Sequence, residues 1–257
     1  MKIGVCVGMN IDRAILAKKL GYDYVESNCG DIVKAPFENI EKMKSVGIPV
    51  YATNCFIGQR IISPDKDDNA ISEYLNELFK RCNYLGIKTI VFGSSGARKA
   101  LEGQDTEMCR EEIYEFIVKH VVPLCEKYDI RIAIEPLGPK ECNVINTIEQ
   151  GVEIAERVNN KYINVLADLK HMISSEDSLD NIVKYKDLLI HAHTSNPYPE
   201  IEGKKRVYPR EGDKFNQDLF FKPLIEAGVE YCSIEADVID FEDDAAEAIK
   251  VLRKYMD

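Results

Sequence analysis

Four side chains that could do chemistry stand at the ends of four apolar stretches with β character. Ile132-Ala-Ile134 runs into Glu135 and Pro136, and Ile163-Asn-Val-Leu-Ala167 runs into Asp168. Leu188-Leu-Ile-His-Ala192 ends at His193, and Tyr231-Cys-Ser-Ile234 ends at Glu235. A strand that delivers a charge just where it must stop places that charge at the rim of a sheet. One such glutamate is usually solvated or salt-bridged; four in succession are a pattern. Three carboxylates cannot stay ionised together without a compensating cation. Three oxygens and an imidazole form a hard, mixed donor set that suits Mn, Mg or Co.

Other residues lie close to this pattern. His191 shares a strand with His193. We read His193, nearer the rim, as the ligand, and His191 as pointing outward or into a layer below. His171 follows Asp168 by three residues, early enough in its loop to reach the same rim. Glu26 ends an earlier strand, where it either touches substrate or braces a neighbour. His120 falls on the apolar face of a helix with Ile113, Phe116, Ile117, Val121 and Leu124, which makes it a packing residue. Cys6, Cys55 and Cys232 read as core.

The elements that must position these residues alternate throughout. Strands are predicted at 3–7, 22–27, 48–54, 88–92, near 130–134, near 163–168, near 188–193 and near 231–235. Helices follow at 11–20, 37–46, 69–85, 107–128, 147–159, 178–186, 215–227 and 241–256. Gly21, Gly47, Gly86 and Gly228 close four of them, as glycine does at helix C-termini. Asn146, with Glu149 three residues later, reads as a capping box for the helix at 147. A longer stretch between Cys55 and Asp68 reads as a lid or binding loop.

Eight strand–helix pairs without a composition break predict an α/β protein, a single (β/α)8 TIM barrel spanning 1–257. In such a barrel the C-terminal strand ends share one mouth. A doubly wound open sheet is the runner-up. Its first turn would favour a Gly-rich phosphate fingerprint, which Val7-Gly-Met-Asn10 does not supply.

Composition narrows the partners. A net charge of −11 argues against nucleic acid. No apolar run approaches the ~20 residues of a membrane helix, so no membrane partner is expected. The start, Met1-Lys-Ile-Gly-Val, lacks a signal-peptide layout. The eight cysteines are scattered, with no C-x-x-C pair. They read as reduced thiols of a cytoplasmic protein.

Taken together, Ile134-Glu-Pro-Leu137 with Asn143 and Asn146, Asp168-x-x-His-Met172, His191-x-His193 and Ser233-Ile-Glu235 resemble the xylose-isomerase-like barrel superfamily. More narrowly, they resemble its sugar phosphate isomerase/epimerase group, which includes the tagatose/psicose 3-epimerases. Phe92-Gly-Ser-Ser-Gly-Ala-Arg98 is similar to that group's loop after the fourth strand. The resemblance implies one divalent ion, usually manganese, held by Glu135, Asp168, His193 and Glu235. It implies that Glu135 and Glu235 double as the acid–base pair, and that His171 and an arginine hold a small sugar substrate. It also allows a homo-oligomer. The group carries that arginine a few residues after the metal histidine. Here Thr194-Ser-Asn-Pro-Tyr-Pro199 follows instead; Arg206, across a longer loop, and Arg210 are the candidates for that role, and the other reading of Lys204-Lys-Arg206 is a solvated basic run.

The expected activity is metal-dependent isomerisation or epimerisation of a ketose or small sugar derivative through an enediolate. A dehydratase could use the same ligands. A DNA-repair endonuclease of the superfamily would need more than the four histidines present. A non-catalytic sugar-binding barrel is the third alternative.

Overall fold

The computed structural model describes residues 1–256. Eight parallel strands close into a barrel in sequence order: β1 (Lys2–Cys6), β2 (Tyr24–Asn28), β3 (Val50–Asn54), β4 (Thr89–Phe92), β5 (Arg131–Ile134), β6 (Ile163–Asp168), β7 (Leu189–Thr194) and β8 (Tyr231–Ile234). β8 pairs with β1, Lys2 facing Tyr231 and Val5 facing Ile234, and this leaves no free edge. The (β/α)8 expectation is met. No helix of the described residues is long and apolar enough to cross a membrane.

Helices cover the barrel and bury their apolar faces on it. Asp68–Leu85 sets Ile71, Leu75, Leu78, Phe79 and Cys82 inward at three- and four-residue spacing. Asp67 caps its start and Gly86, at φ 83°, its end. Two boundaries differ from the sequence reading for clear reasons. The expected helix over 107–128 is interrupted: Thr106–Phe116 passes through a π-helical segment, Ile117–Val121, into Val122–Tyr128. Pro123 has no N–H to continue the ladder, and Val122 N–H instead reaches back five residues to Ile117 O. The cap of helix Ile148–Val158 is Thr147, not Asn146; its side chain accepts from Gln150 N–H. Asn146 is occupied elsewhere, donating to Leu137 O and Cys142 O.

Short helices missed in the sequence follow three of the strands: Cys29–Lys34, Ser95–Arg98 and Leu169–Ser174. The stretch after Cys55 is anchored, since Phe56, Ile57, Ile61 and Ile62 are buried in the core. Cys232 is buried as expected, but Cys6 is half-buried and Cys55 is exposed. Cys55 takes a left-handed turn (φ 53°) directly after β3 that carries it to the rim rather than the core.

Inside the barrel, one apolar layer of Val91, Ala133 and Leu166 lies beside a polar column. At its base Tyr51 and Tyr231 stack at 3.6 Å, and Tyr24 meets both edge-on. Gly4 makes room for Tyr24, because a Cβ there would overlap the phenol ring. Tyr24 lifts its hydroxyl to Ser233 Oγ at 2.9 Å, and the column continues upward from there.

Candidate active site

At the C-terminal mouth Glu135, Asp168, His193 and Glu235 offer one ligand atom each within 4.8 Å of one another. His193 Nδ1 lies 3.3 Å from Glu135 Oε1, 3.1 Å from Glu235 Oε2 and 3.8 Å from Asp168 Oδ2. Burial would lower the His193 pKa, but the charges of Glu26 and Glu235 and bonds to Glu135 and Glu235 raise it well above the usual value. A proton on Nδ1 and a divalent ion are therefore alternatives at the same point. The residues fit such an ion: three carboxylate oxygens and one imidazole nitrogen converge from four strand ends. Among the described residues, the other group of candidate ligands, Cys6, Glu26 and His193, shares His193. The geometry of the described residues thus offers one nest centred on His193.

Glu26 lies beneath this nest. It is fully buried, and its carboxylate accepts from His193 Nε2 at 3.0 Å, His191 Nε2 at 3.1 Å and Ser233 Oγ at 2.7 Å. With Ser233 donating to Glu26, the Tyr24 hydroxyl must donate to Ser233. Burial alone would raise the Glu26 pKa; the charge of His193 and the two imidazole hydrogen bonds instead bring it to about 2. A carboxylate on Nε2 leaves Nδ1 of His193 facing the other three acids, as metal-ligating histidines are usually held. His191 and His193 are two residues apart and so share a face. Both point inward, which corrects the outward alternative for His191. Burial lowers the His191 pKa, and its Nδ1 has no partner.

Above the nest opens a cavity of about 820 Å³ lined by Asn54, Gly93, Glu135, Glu141, His171 and Arg206, among others. Asp168 caps helix Leu169–Ser174 by accepting His171 N–H at 2.8 Å. That places the His171 ring on the cavity wall. Its Nδ1 accepts from Gly138 N–H at 3.0 Å, which leaves Nε2 as the ring's N–H donor. Arg206 Nη1 donates to Asp168 Oδ2 at 2.7 Å and Nη2 to Glu235 Oε2 at 2.5 Å. Burial would raise the Asp168 pKa, but the Arg206 guanidinium and the charge of His193 lower it. For Glu235, Arg206 and His193 likewise overcome burial.

A profile described as "Xylose isomerase-like TIM barrel" matches residues 15–255. The chain belongs to this family. Among curated relatives, an inosose isomerase of Bacillus licheniformis is 25% identical over 82% of this chain and 80% of its own length. A probable ketose 3-epimerase of a Synechocystis strain is 27% identical over 69% of this chain and 63% of its own length. Of solved structures, the IOLI protein with a bound zinc atom superposes with a TM-score of 0.74 at 21% identity, covering 99% of this chain and 96% of the other.

Within this xylose-isomerase-like barrel, the four rim residues, His171 and Arg206 meet at one mouth. Glu26 sits one layer lower, out of reach of the cavity, so bracing is its geometric role rather than substrate contact. Arg210 leaves the site altogether and pairs with Asp244 at 2.7 Å. His120 packs against the Phe116 ring and shares a bond with Ser72.

Four other residues were missed. Asn54 ends β3 and donates to Glu235 Oε1 at 3.0 Å; the strand-end rule, extended to a neutral side chain, would have found it. Arg98 is wholly buried and donates to the backbone oxygens of Gly93 and Glu135, bracing two strand ends. Its place in the quoted loop motif was the available signal. Glu141 pairs with Lys170 at 2.5 Å on the cavity wall, and no spacing in the sequence announces either.

Proposed function

We propose that this protein is a metal-dependent sugar isomerase or epimerase acting on a ketose or small sugar derivative through an enediolate. Glu135, Asp168, His193 and Glu235 hold one divalent ion, manganese in the first instance. Glu135 and Glu235 form the acid–base pair, and His171 with Arg206 orients substrate.

One observation carries the reading. Glu135 Oε1 faces His193, while Oε2 takes no hydrogen bond from the described residues and lies against Gly93 at the cavity wall. That oxygen is free to accept a proton. Glu235, three strands further round the barrel, has both oxygens engaged, by Asn54 and by Arg206. A divalent ion in the nest would supply polarisation of a substrate carbonyl, making the neighbouring C–H acidic. Glu135 Oε2 then removes that proton. Glu235 must carry a proton, taken from solvent before turnover, which it returns from its own side; Glu135 then releases its own proton to solvent, which restores the pair. Return to the same carbon inverts it; return to the adjacent carbon interconverts ketose and aldose. The His171 Nε2–H and the remaining N–H groups of Arg206 hold the sugar oxygens. The relatives' names, inosose isomerase and ketose 3-epimerase, support a polyhydroxy ketone as the substrate class.

The test is deuterium uptake from heavy water by a panel of ketoses and inososes with manganese-loaded protein. Exchange is expected on at least one of them. Glu135→Gln and Glu235→Gln should each abolish it with the fold intact. No exchange across the panel would overturn the function. Near-normal exchange in either variant would overturn the acid–base assignment.

A further inference from the structure

Asp168 and Glu235 each commit one oxygen to a fixed protein donor. Asp168 Oδ1 accepts His171 N–H at 2.8 Å, and Glu235 Oε1 accepts the Asn54 amide at 3.0 Å. Their other oxygens, Oδ2 and Oε2, face His193 Nδ1 at 3.8 and 3.1 Å. Those are the oxygens a metal ion in the nest would use. They are also the two that the Arg206 fork grips, one with Nη1 and one with Nη2.

The grip is built in from the backbone. Arg206 O accepts Asp237 N–H at 3.0 Å, and Lys205 N–H donates to Asp237 Oδ2 at 2.9 Å. Val207 exchanges two backbone bonds with Asn196, at 2.7 and 3.2 Å. Val207 and Tyr208 are buried. The long loop after β7 is thereby pinned to the turn after β8, and the guanidinium enters from a fixed base.

We propose that Arg206 is an antagonist of metal binding: its guanidinium shares Asp168 Oδ2 and Glu235 Oε2 with the ion, so it weakens the ion's hold while stabilising the carboxylates themselves. This rests on the metal site proposed above. Two effects act in the same direction. Lone pairs given to a guanidinium make a carboxylate oxygen a poorer donor to a metal. A fixed positive charge against the same two oxygens repels a second cation in a site shielded from water. Without the ion, the same charge relieves repulsion among Glu135, Asp168 and Glu235, so its removal should destabilise the metal-free protein. The two consequences have opposite signs, and a merely structural arginine would not produce that combination.

The test compares wild type with Arg206→Ala and Arg206→Met, the latter keeping the apolar stem. Manganese affinity is measured by titration calorimetry without substrate, and melting temperature is measured in excess chelator. Both variants are expected to bind manganese at least ~10-fold more tightly and to melt several degrees lower in chelator. If one variant fails to fold, the other decides. Equal or weaker binding in the variants, with wild type binding normally, overturns the antagonism alone. No binding by wild type or variants overturns the metal site, and the antagonism falls with it. Binding by the variants but not by wild type is the strongest form of the expected result.

Discussion

Replacing Glu26 by Gln tests whether the layer beneath the mouth holds the site in shape. The change keeps the volume and one acceptor but removes the charge and turns the other oxygen into a donor. Three donors converge on this carboxylate: His193 Nε2, His191 Nε2 and Ser233 Oγ. A Gln oxygen can keep His193. Its NH2 then faces His191 Nε2 and Ser233 Oγ, both of which donated to the oxygen it replaces, so both must reorient. His191 can move its proton to Nδ1, but that nitrogen is buried without a partner, a cost of about 1–3 kcal/mol. The carboxyl pKa supplies a second route to the magnitude. Lowering it from 4.5 to about 2, at about 1.4 kcal/mol per pKa unit, corresponds to about 3 kcal/mol of stability at neutral pH. The raised pKa of His193 is the same ion pair seen from its partner, so the two are not added. Because the folded-state pKa of Glu26 is depressed, this contribution is full above pH 4.5 and is lost as pH falls towards about 2. In chelator, denaturant unfolding should therefore show wild type more stable than Glu26→Gln by about 2–4 kcal/mol at pH 7. The gap should close between pH 4.5 and about 2. Manganese affinity should fall ~10–100-fold, as for other carboxylates behind a metal-ligating histidine. A variant with wild-type affinity, the same stability and the same acid profile would refute the bracing role.

Gly93 and Arg210 give two further checks. A Cβ at residue 93 would overlap Glu135 Oε2, so Gly93→Ala should displace that carboxylate. Exchange should fall ~100-fold or more for a stability loss of about 1–3 kcal/mol; unchanged exchange would remove Glu135 Oε2 from the chemistry. Arg210→Ala takes a half-exposed arginine away from the buried Asp244, whose other oxygen still accepts from Ile239 and Asp240 N–H. It should cost about 1–3 kcal/mol in a melt and leave metal binding and exchange at wild-type levels. A loss of either would mean that the long loop places the wrong arginine in the mouth.

The barrel and its rim were legible because both depend on local patterns. Strand–helix alternation is written in apolar spacing and closing glycines, and a charge that stops an apolar run marks a strand end without any tertiary knowledge. Glu135, Asp168, His193 and Glu235 were found that way, and the extent of the helix over Ile11–Leu20 was read the same way. The π-helical segment ahead of Pro123 and the shift of the cap from Asn146 to Thr147 were not, because each turns on which partner wins a single hydrogen bond. The layer below the rim required the closed barrel. Tyr24, Glu26, His191 and Ser233 are linked by bonds spanning 165 to 209 residues, and only the ring of strands with β8 against β1 brings them together. Arg206 was a candidate by residue type alone. Its role was decided by the Asp237 and Asn196 contacts that aim its loop, since a guanidinium fork has a function only where two acceptors stand at its own spacing.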